Sequence, residues 1–340
     1  MTTVDASYQL LACRYIRGQI KALNRRLRGT RFARDIEHVH QARVASRRLR
    51  TALGMFADCF PPAKVGKWRK QIRQLTRRLG AARDADVQIV FLKKFISETP
   101  ATLKKLRPGL RRALLRLKQR RQSIQPKVVK VLDRLREYEV LADIRAEAGR
   151  TERRLVRLNT DIHSPFVFEQ AKQHIENRLE GLLTYQHCLD DPEAKKSHHQ
   201  MRIAAKRLRY TLEICNLPFD SRLDGYIDTM KNLQSLLGKL QDCYVWLDDL
   251  ESFIQKEKRR TIKYFGSERT FARLKPGLEY LVEHRRKDRE LLFEKSRNFW
   301  QELQKTGLAD KLRSIIQGHK PQSRQAPFEK AGTTSQNIGQ

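Results

Sequence analysis

The stretch HQARVASRRLR at residues 40–50 decides the fold, because it returns as HQMRIAAKRLRY at residues 199–210. The second copy begins at His199 where the first begins at His40, an offset of 159 residues. Apolar residues recur every three to four positions within both copies, a spacing typical of amphipathic α-helices. The sequence therefore predicts two equivalent helices, one in each half of the chain.

Two further motifs follow each of these stretches in the same order. LGAARDADV (79–87) and LRPGL (106–110) come after the first copy, and LGKLQDCYV (237–245) and LKPGL (274–278) come after the second. Three repeated motifs at nearly constant spacing indicate a duplicated module. We place the two halves at residues 1–158 and 159–318, and we expect the polar, patternless tail at 319–340 to be disordered.

The rest of the sequence also favours helices. Residues 8–27 carry apolar side chains at helical spacing, and Pro61-Pro62 is expected to end one helix and begin the next. Only 16 Gly and 11 Pro occur in 340 residues, fewer than a large β-sandwich needs for its turns. About four long helices fit into each half, which predicts an all-α protein of two pseudo-symmetric four-helix bundles.

The charge of the chain predicts a polyanionic partner. Lys and Arg total 71 against 38 Asp and Glu, a formal net charge of +33. Nucleic acid, anionic lipid and a polymer of phosphates all fit that charge, whereas an acidic partner surface, a collagen-like fibre and a disulfide scaffold are excluded. The five cysteines form no CxxC pair, and we find no secretory signal and no long apolar span. We therefore expect a reduced, intracellular protein without membrane insertion.

Helical geometry collects the basic residues of each repeated helix into one stripe. At about 100° per residue, the stripe of the first helix occupies an arc of about 80°, opposite the apolar face. The first stripe consists of His40, Arg43, Arg47 and Arg50. The second consists of His199, Arg202, Lys206 and Arg209. Arg48 and Arg207 lie beside the stripes and are further candidates.

Each stripe is either a solvated face or a polyanion site. Like charges three and four residues apart repel, and neither stripe contains an acid that would relieve the repulsion. Because the same unfavourable pattern occurs in both halves, we favour a polyanion site. The planar guanidinium of Arg donates paired hydrogen bonds to phosphate, and Lys adds a mobile charge. His40 and His199 are either phosphate donors, with binding that tightens at low pH, or structural histidines.

These paired motifs closely resemble the CHAD family, the conserved histidine α-helical domain, over nearly the whole chain up to about residue 318. The resemblance implies two four-helix bundles flanking a central basic groove or pore. It also implies binding of inorganic polyphosphate without catalysis and without a cofactor. The ligand residues carried over are His40, Arg43, Arg47, Arg48, Arg50, His199, Arg202, Lys206, Arg207 and Arg209. The chain has no ExExK signature of an attached triphosphate-tunnel domain, so we expect a stand-alone module.

The second motif of each half contributes further candidates. Arg73 and Lys231, seven residues before the motif glycines, either extend the polyphosphate-binding surface or are solvated. Gly80 and Gly238 are expected to permit close helix contact. Asp84 and Asp242 are read most simply as N-caps of a following helix, the alternative being that each orients a stripe arginine.

Two other classes of function remain as alternatives. Non-specific RNA binding suits the charge, but the stripes lack the aromatic platforms on which bases stack, so we expect RNA as a secondary partner. An enzyme is not expected, since no P-loop and no HExxH motif occurs. The neighbouring arginines disfavour a metal at the His pairs. We expect a cytoplasmic protein, with association with polyphosphate granules as a further expectation.

Overall fold

The computed structural model describes residues 4–318, and within them the protein is entirely helical. The predicted disordered tail at 319–340 lies outside the described residues. In the first half the helices are α1 (Ala6–Phe32), α2 (Ile36–Met55), α3 (Pro62–Glu98), α4 (Arg107–Glu137) and α5 (Val140–Arg157). In the second half they are α6 (Pro165–Leu183), α7 (Lys195–Cys215), α8 (Asp224–Phe265), α9 (Arg269–Ala272), α10 (Lys275–Lys305) and α11 (Leu308–Gly318). The predicted boundary between the halves falls in the link between α5 and α6.

The all-α class is confirmed, but each half contains five substantial helices instead of the four predicted. The additional helices are α5 and α11, each of which follows a long helix after a break of two residues. Glu139 adopts the left-handed conformation (φ 46°) between α4 and α5, and Gly307 does so (φ 65°) between α10 and α11. Each left-handed residue ends one helix and lets the next begin at once. A glycine in the sequence predicts such a helix end, because it favours the left-handed conformation, whereas a glutamate does not.

Each half has its own apolar core. The first core joins α1, α2, the N-terminal part of α3, the C-terminal part of α4 and α5. The second joins α6, α7, the N-terminal part of α8, the C-terminal part of α10 and α11. The prolines act as expected, because α2 ends at Met55 and α3 begins at Pro62. The hairpins α3–α4 and α8–α10 extend beyond these two cores.

A third core joins the two hairpins at their far ends. Leu92, Phe95 and Leu110 from the first half pack there with Trp246 and Leu278 from the second. The N-termini of α4 and α10 cross at this point. A Cβ added to Gly109 would lie 2.1 Å from the Leu274 carbonyl oxygen, and one added to Gly277 would lie 2.0 Å from that of Leu106. The LRPGL and LKPGL repeats therefore supply the two glycines that let equivalent helices touch.

The halves also meet at a second place, near the C-terminal ends of α2 and α7. Ile214 of α7 is fully buried in the first core, and Met55 of α2 packs against the second. Tyr8 of α1 and His174 of α6 are hydrogen-bonded at 2.9 Å. The stripe residues of α2 and α7 lie between this contact and the third core. Within residues 4–318 no helix is both long and apolar enough to cross a bilayer.

Candidate functional site: a basic surface between the two halves

The two stripes come together where α2 and α7 contact each other. The apolar face of α2, with Ala45 and Leu49, is buried in the first core. The apolar face of α7, with Met201 and Leu208, is buried in the second core. Burial of the apolar faces fixes the rotation of both helices, so the basic faces are left outside the two cores. We call Arg43, Arg47, Arg202 and Lys206, which approach one another between the halves, the central basic surface.

The middle of this surface is crowded with positive charge. Burial, followed by the charges of Arg47, Arg202, Arg50 and Arg43, lowers the pKa of Lys206 from 10.5 to about 7. Burial and the neighbouring cations likewise lower the pKa of Arg47, and burial and Arg47 lower that of Arg202. A lysine pKa lowered this far shows how unfavourable a further positive charge is there in the absence of an anion.

The same three side chains are not neutralised by acids. Within residues 4–318 no carboxylate forms an ion pair with Arg47, Arg202 or Lys206, although the chain forms many ion pairs elsewhere. The Nε of Arg202 is buried and has no hydrogen-bond partner among the described residues. Each side chain nevertheless keeps part of its surface in contact with solvent. The hydrogen-bonding capacity of these groups is therefore available to an anion that enters between the halves.

Both motif aspartates lie inside long helices, so the prediction that they are N-caps is wrong. Asp84 is within α3 and Asp242 is within α8, because each LG-containing motif continues its helix instead of ending it. Asp84 forms an ion pair with Arg43 at 3.3 Å, which is the alternative role. The Asp242 side chain is exposed to solvent, yet the surrounding protein raises its pKa to about 6 against the opposing charge of Arg202.

The two motif histidines lie at equivalent positions with different partners. The Nδ1 of His199 is 3.0 Å from Gln241 Oε1, and because this oxygen only accepts, Nδ1 carries the hydrogen. The Nδ1 of His40 is buried without a partner in the described part of the chain. Burial and the charge of Arg83 lower the pKa of His40, so this ring is neutral at pH 7. A neutral imidazole donates one hydrogen bond to an anion without adding charge.

Three of the other candidates are engaged by acids. Arg48 and Arg209 both bind Glu213, and Lys231 lies 3.5 Å from Asp228 on the outside of α8. Arg207, Arg50 and Arg73 are exposed. Arg50 and Arg73 are close enough that the charge of Arg73 contributes to lowering the pKa of Arg50. Of these residues, Arg50 acts electrostatically on Lys206 and Arg209 acts on Arg47.

The glycines of the second motif do not mediate helix contact, which corrects that prediction. A Cβ on Gly80 would meet only the Arg43 side chain, at an ordinary 3.7 Å, and a Cβ on Gly238 would meet nothing within 4 Å. The contact that requires glycine is the crossing of Gly109 and Gly277. Gly80 and Gly238 instead leave open space on the helices that carry Asp84 and Asp242.

Three contributors were missed by the sequence reasoning. Arg83 and Gln241 occupy the same position of the repeated motif, one residue before the aspartate, and each faces the histidine of its own half. Aligning the two motifs residue by residue would have identified this pair. Arg285 of α10 acts on Asp242 electrostatically and lies 4.0 Å from the centre of the Phe91 ring. Its position comes from the packing between the halves, for which the sequence carries no local signal.

The described residues contain no cluster of three or more His, Cys, Asp or Glu side chains that would hold a metal ion. All five cysteines are buried and free, and burial raises the pKa of several of them, Cys13 and Cys215 to about 12. Such thiols remain protonated at neutral pH and are poor nucleophiles. The side chains of the central basic surface offer cations and hydrogen-bond donors.

The family model described as the CHAD domain matches residues 14–251, most of the chain and both stripes. The chain belongs to the CHAD domain family. The crystal structure of the CHAD domain from the plant Ricinus communis is similar, with 21% identity, 92% of each chain covered and a TM-score of 0.56. PptA from Streptomyces chartreusis is also similar, with 14% identity, 86% of this chain and 99% of that chain covered and a TM-score of 0.56. At these identities the likeness shows the CHAD fold. No match was found among curated proteins.

Proposed function

We propose that this CHAD protein binds inorganic polyphosphate along the central basic surface and does not catalyse a reaction on it. The observation that carries the proposal is the group formed by Arg47, Arg202 and Lys206. The fold holds these cations from two halves together, and within residues 4–318 no acid forms an ion pair with any of them. Their proximity and their burial lower the pKa of Lys206 to about 7. A repeating anion lying between the helices would relieve that repulsion over several residues at once.

The shape of the ligand follows from the placement of the cations. Arg43 and Arg47 on α2 face Arg202 and Lys206 on α7, so a single strand between the helices would meet donors on both sides. Polyphosphate is thin and carries a charge on every unit. The stripes offer no exposed aromatic ring, since Tyr210 is buried at 3% exposure with Arg209 over its face. A base would therefore find no stacking partner at this surface.

The test is a binding comparison between two quadruple variants. In the first, Arg43, Arg47, Arg202 and Lys206 are replaced by alanine. In the charge-matched control, alanine replaces four exposed cations on the outer surface: Lys21, Arg25, Lys93 and Lys127. We expect the first variant to lose at least about a hundredfold in affinity for long-chain polyphosphate, as four charge-assisted contacts are removed. The control is expected to lose far less. Equal losses would mean that net charge alone explains the binding.

Competition at physiological salt tests the ligand class. Labelled polyphosphate bound to the wild-type protein is challenged with unlabelled polyphosphate, single-stranded RNA, duplex DNA and heparin at matched charge. Selective competition by polyphosphate supports a narrow binding path between the halves, whereas equal competition by all four polymers would contradict it. Chain length of the recovered polyphosphate tests the non-catalytic part, because any shortening would contradict it. A protein with this function is expected in the cytoplasm, in association with polyphosphate granules.

A further inference from the structure

The C-terminal end of α8 exposes an unusual amount of apolar surface. Ile262, Tyr264 and Phe265 are 40%, 82% and 57% exposed, although three large apolar side chains lie within four residues. The Tyr264 and Phe265 rings pack edge to face, with centroids 4.8 Å apart. Gly266 then ends the helix in the left-handed conformation. Two exposed aromatic rings in contact with each other make this end of α8 a candidate surface for binding another molecule.

Three arginines are held beside this patch by a single carboxylate. Glu257 is completely buried and accepts hydrogen bonds from Arg112, Arg116 and Arg260, with shortest distances of 3.1, 2.8 and 2.7 Å. One acid neutralises one of the three charges, so an excess of two positive charges remains. The arginines stay partly exposed, at 35%, 31% and 58% of their side chains. Because Glu257 fixes the guanidinium groups, they are pre-organised for an anion.

The arginines and the aromatic rings line one pocket. It has a volume of about 510 Å³ and is lined by Arg112, Arg116, Arg260, Lys263, Tyr264 and Phe265. Arg112 and Arg116 come from α4 of the first half and the others from α8 of the second, so the pocket forms only when the two hairpins pack together. Its volume lies in the range of small-ligand sites and suits a single nucleotide.

We propose that this pocket binds single-stranded nucleic acid, with a base stacked on Tyr264 or Phe265 and the adjacent phosphates on Arg260 and Lys263. Exposed aromatic faces beside fixed cations are the two components of single-strand binding that does not read sequence. Polyphosphate uses only the cations, since it has no face that stacks. The aromatic rings therefore distinguish this site from the central basic surface.

The two sites are also far apart. Asp242 beside the central basic surface and Tyr264 both lie on α8, 22 residues from each other. At about 1.5 Å per residue, that separation is about 33 Å along the helix. A change at Tyr264 can thus be made without disturbing Arg202 or Lys206, and the two binding activities can be measured independently.

The experiment compares oligomers that differ only in their bases. The probes are a fluorescent oligouridylate of about ten nucleotides and an abasic sugar–phosphate strand of the same length and charge. The variants are Tyr264→Ala, Phe265→Ala and the double variant, with Tyr138→Ala as a control at another exposed tyrosine, 48% exposed. We expect the double variant to lose about five- to a hundredfold in affinity for oligouridylate. Its affinity for the abasic strand and for polyphosphate should change less than about twofold, and the control should match the wild type.

Two results would overturn the proposal. One is equal affinity of the wild-type protein for the oligouridylate and the abasic strand, which would leave only charge as the cause of binding. The other is an unchanged oligouridylate affinity in the double variant. An oligothymidylate of the same length distinguishes RNA from DNA as the ligand. If the double variant loses affinity equally for both oligomers, the site binds single strands of either sugar. If it loses affinity only for the oligouridylate, the site is specific for RNA. Because Tyr264 is largely exposed, circular dichroism is expected to show an unchanged fold in every variant.

Discussion

Arg48 of α2 donates two parallel hydrogen bonds to Glu213 of α7, at 2.7 and 2.9 Å, and in this way joins the two halves of the molecule. The Nε of Arg209 lies 3.2 Å from the same carboxylate. Glu213 is only 12% exposed, so both arginines are committed to a partly buried ion-pair network. Arg48 and Arg209, which the motif assigns to polyphosphate binding, are therefore already paired with a carboxylate in the free protein. Arg47 and Lys206 are not.

This network predicts that Arg48 contributes more to stability than to binding. Glu213→Gln leaves two arginines without their carboxylate, and Arg48→Ala leaves Glu213 with Arg209 alone. We expect the free energy of unfolding to fall by about 1–3 kcal/mol in each variant. Urea denaturation measures the change. Arg207→Ala is the control, because Arg207 is exposed on α7, the helix of Glu213, and has no ion pair within residues 4–318. Its effect should remain within about 0.5 kcal/mol.

The same variants separate structure from binding. We expect Arg48→Ala to weaken polyphosphate binding less than Arg47→Ala does, because only Arg47 is free of an acid. A larger loss of affinity in Arg48→Ala, in protein shown to be folded, would mean that Arg48 leaves Glu213 and binds the ligand directly.

Lys206 predicts that polyphosphate binding weakens as the pH rises above neutrality. Its pKa of about 7 in the free protein results from burial and from Arg47, Arg202, Arg50 and Arg43, and a bound polyanion would raise it. Above pH 7 the ligand must therefore bring a proton onto Lys206, and affinity should fall by up to about tenfold per pH unit. Titrations between about pH 6 and pH 9, at constant ionic strength, measure this slope.

Lys206→Arg tests whether this lysine is the source of the slope. An arginine remains charged over the whole range, so the variant should bind with a nearly constant affinity above pH 7. A slope in the variant as steep as in the wild type would assign the proton to another group.

The lowered pKa of Lys206 also predicts that this residue strengthens polyphosphate binding and destabilises the free protein. Its pKa is lower in the folded protein than in the unfolded chain, so protonation destabilises the fold, and stability should rise with pH from about 7 to 10.5. Lys206→Met removes the buried charge. We expect it to stabilise the free protein at neutral pH by about 1 kcal/mol while it weakens polyphosphate binding. Thermal unfolding and binding of the same sample provide the comparison, and a destabilised variant would show that Lys206 is not under strain.

The raised pKa of Asp242 predicts a second pH effect, at pH values below the pKa of Lys206. Desolvation by the surrounding protein raises the pKa of Asp242 to about 6, so it is mostly neutral below that pH and mostly a carboxylate above it. A negative charge about 10 Å from a phosphate costs about 0.8 kcal/mol at an effective dielectric constant of about 40, or roughly fourfold in affinity. Asp242→Asn should therefore bind polyphosphate roughly fourfold more tightly at pH 7 than the wild type. The two proteins should converge as the pH falls below about 6, and a constant ratio across this range would refute the assignment.

The sequence predicted the repeated helices well and their surroundings less well. The stripes of α2 and α7 follow from helical periodicity, which is local, and the structure places Arg47 and Lys206 near each other as equivalent positions. Asp84 and Asp242 were misread as N-caps, because an aspartate before an apolar run has the same local pattern inside a helix as at its start. Glu139 gave no sign that α4 ends there. Arg285 and Asp242 come close enough to attract each other only because of the way the helices pack. That packing involves residues far apart in the chain.

The crossing of Gly109 and Gly277 gives the sharpest test of the packing between the hairpins. A Cβ on Gly109 would lie 2.1 Å from the backbone oxygen of Leu274, and backbone cannot move aside as a flexible side chain can. We expect Gly109→Ala to lower the free energy of unfolding by about 1–3 kcal/mol, even though alanine is the better helix former. Gly181→Ala is the matched control, since Gly181 lies inside α6 with nothing within 4 Å of its added Cβ. It should stabilise the protein by up to about 1 kcal/mol.

The same pair of variants links the crossing to the nucleic-acid pocket proposed at the hairpin ends. Arg112 of α4 and Tyr264 of α8 belong to different halves, and the packing of α4 against the second half holds them at one pocket. Gly109→Ala should therefore weaken oligouridylate binding in folded protein, whereas polyphosphate binding by Arg47 and Lys206 should persist, because the contact of α2 with α7 lies at the other end of the molecule. Loss of both activities together would mean that the third core positions the whole second half, and retention of both would mean that the hairpins accommodate the added methyl group without separating.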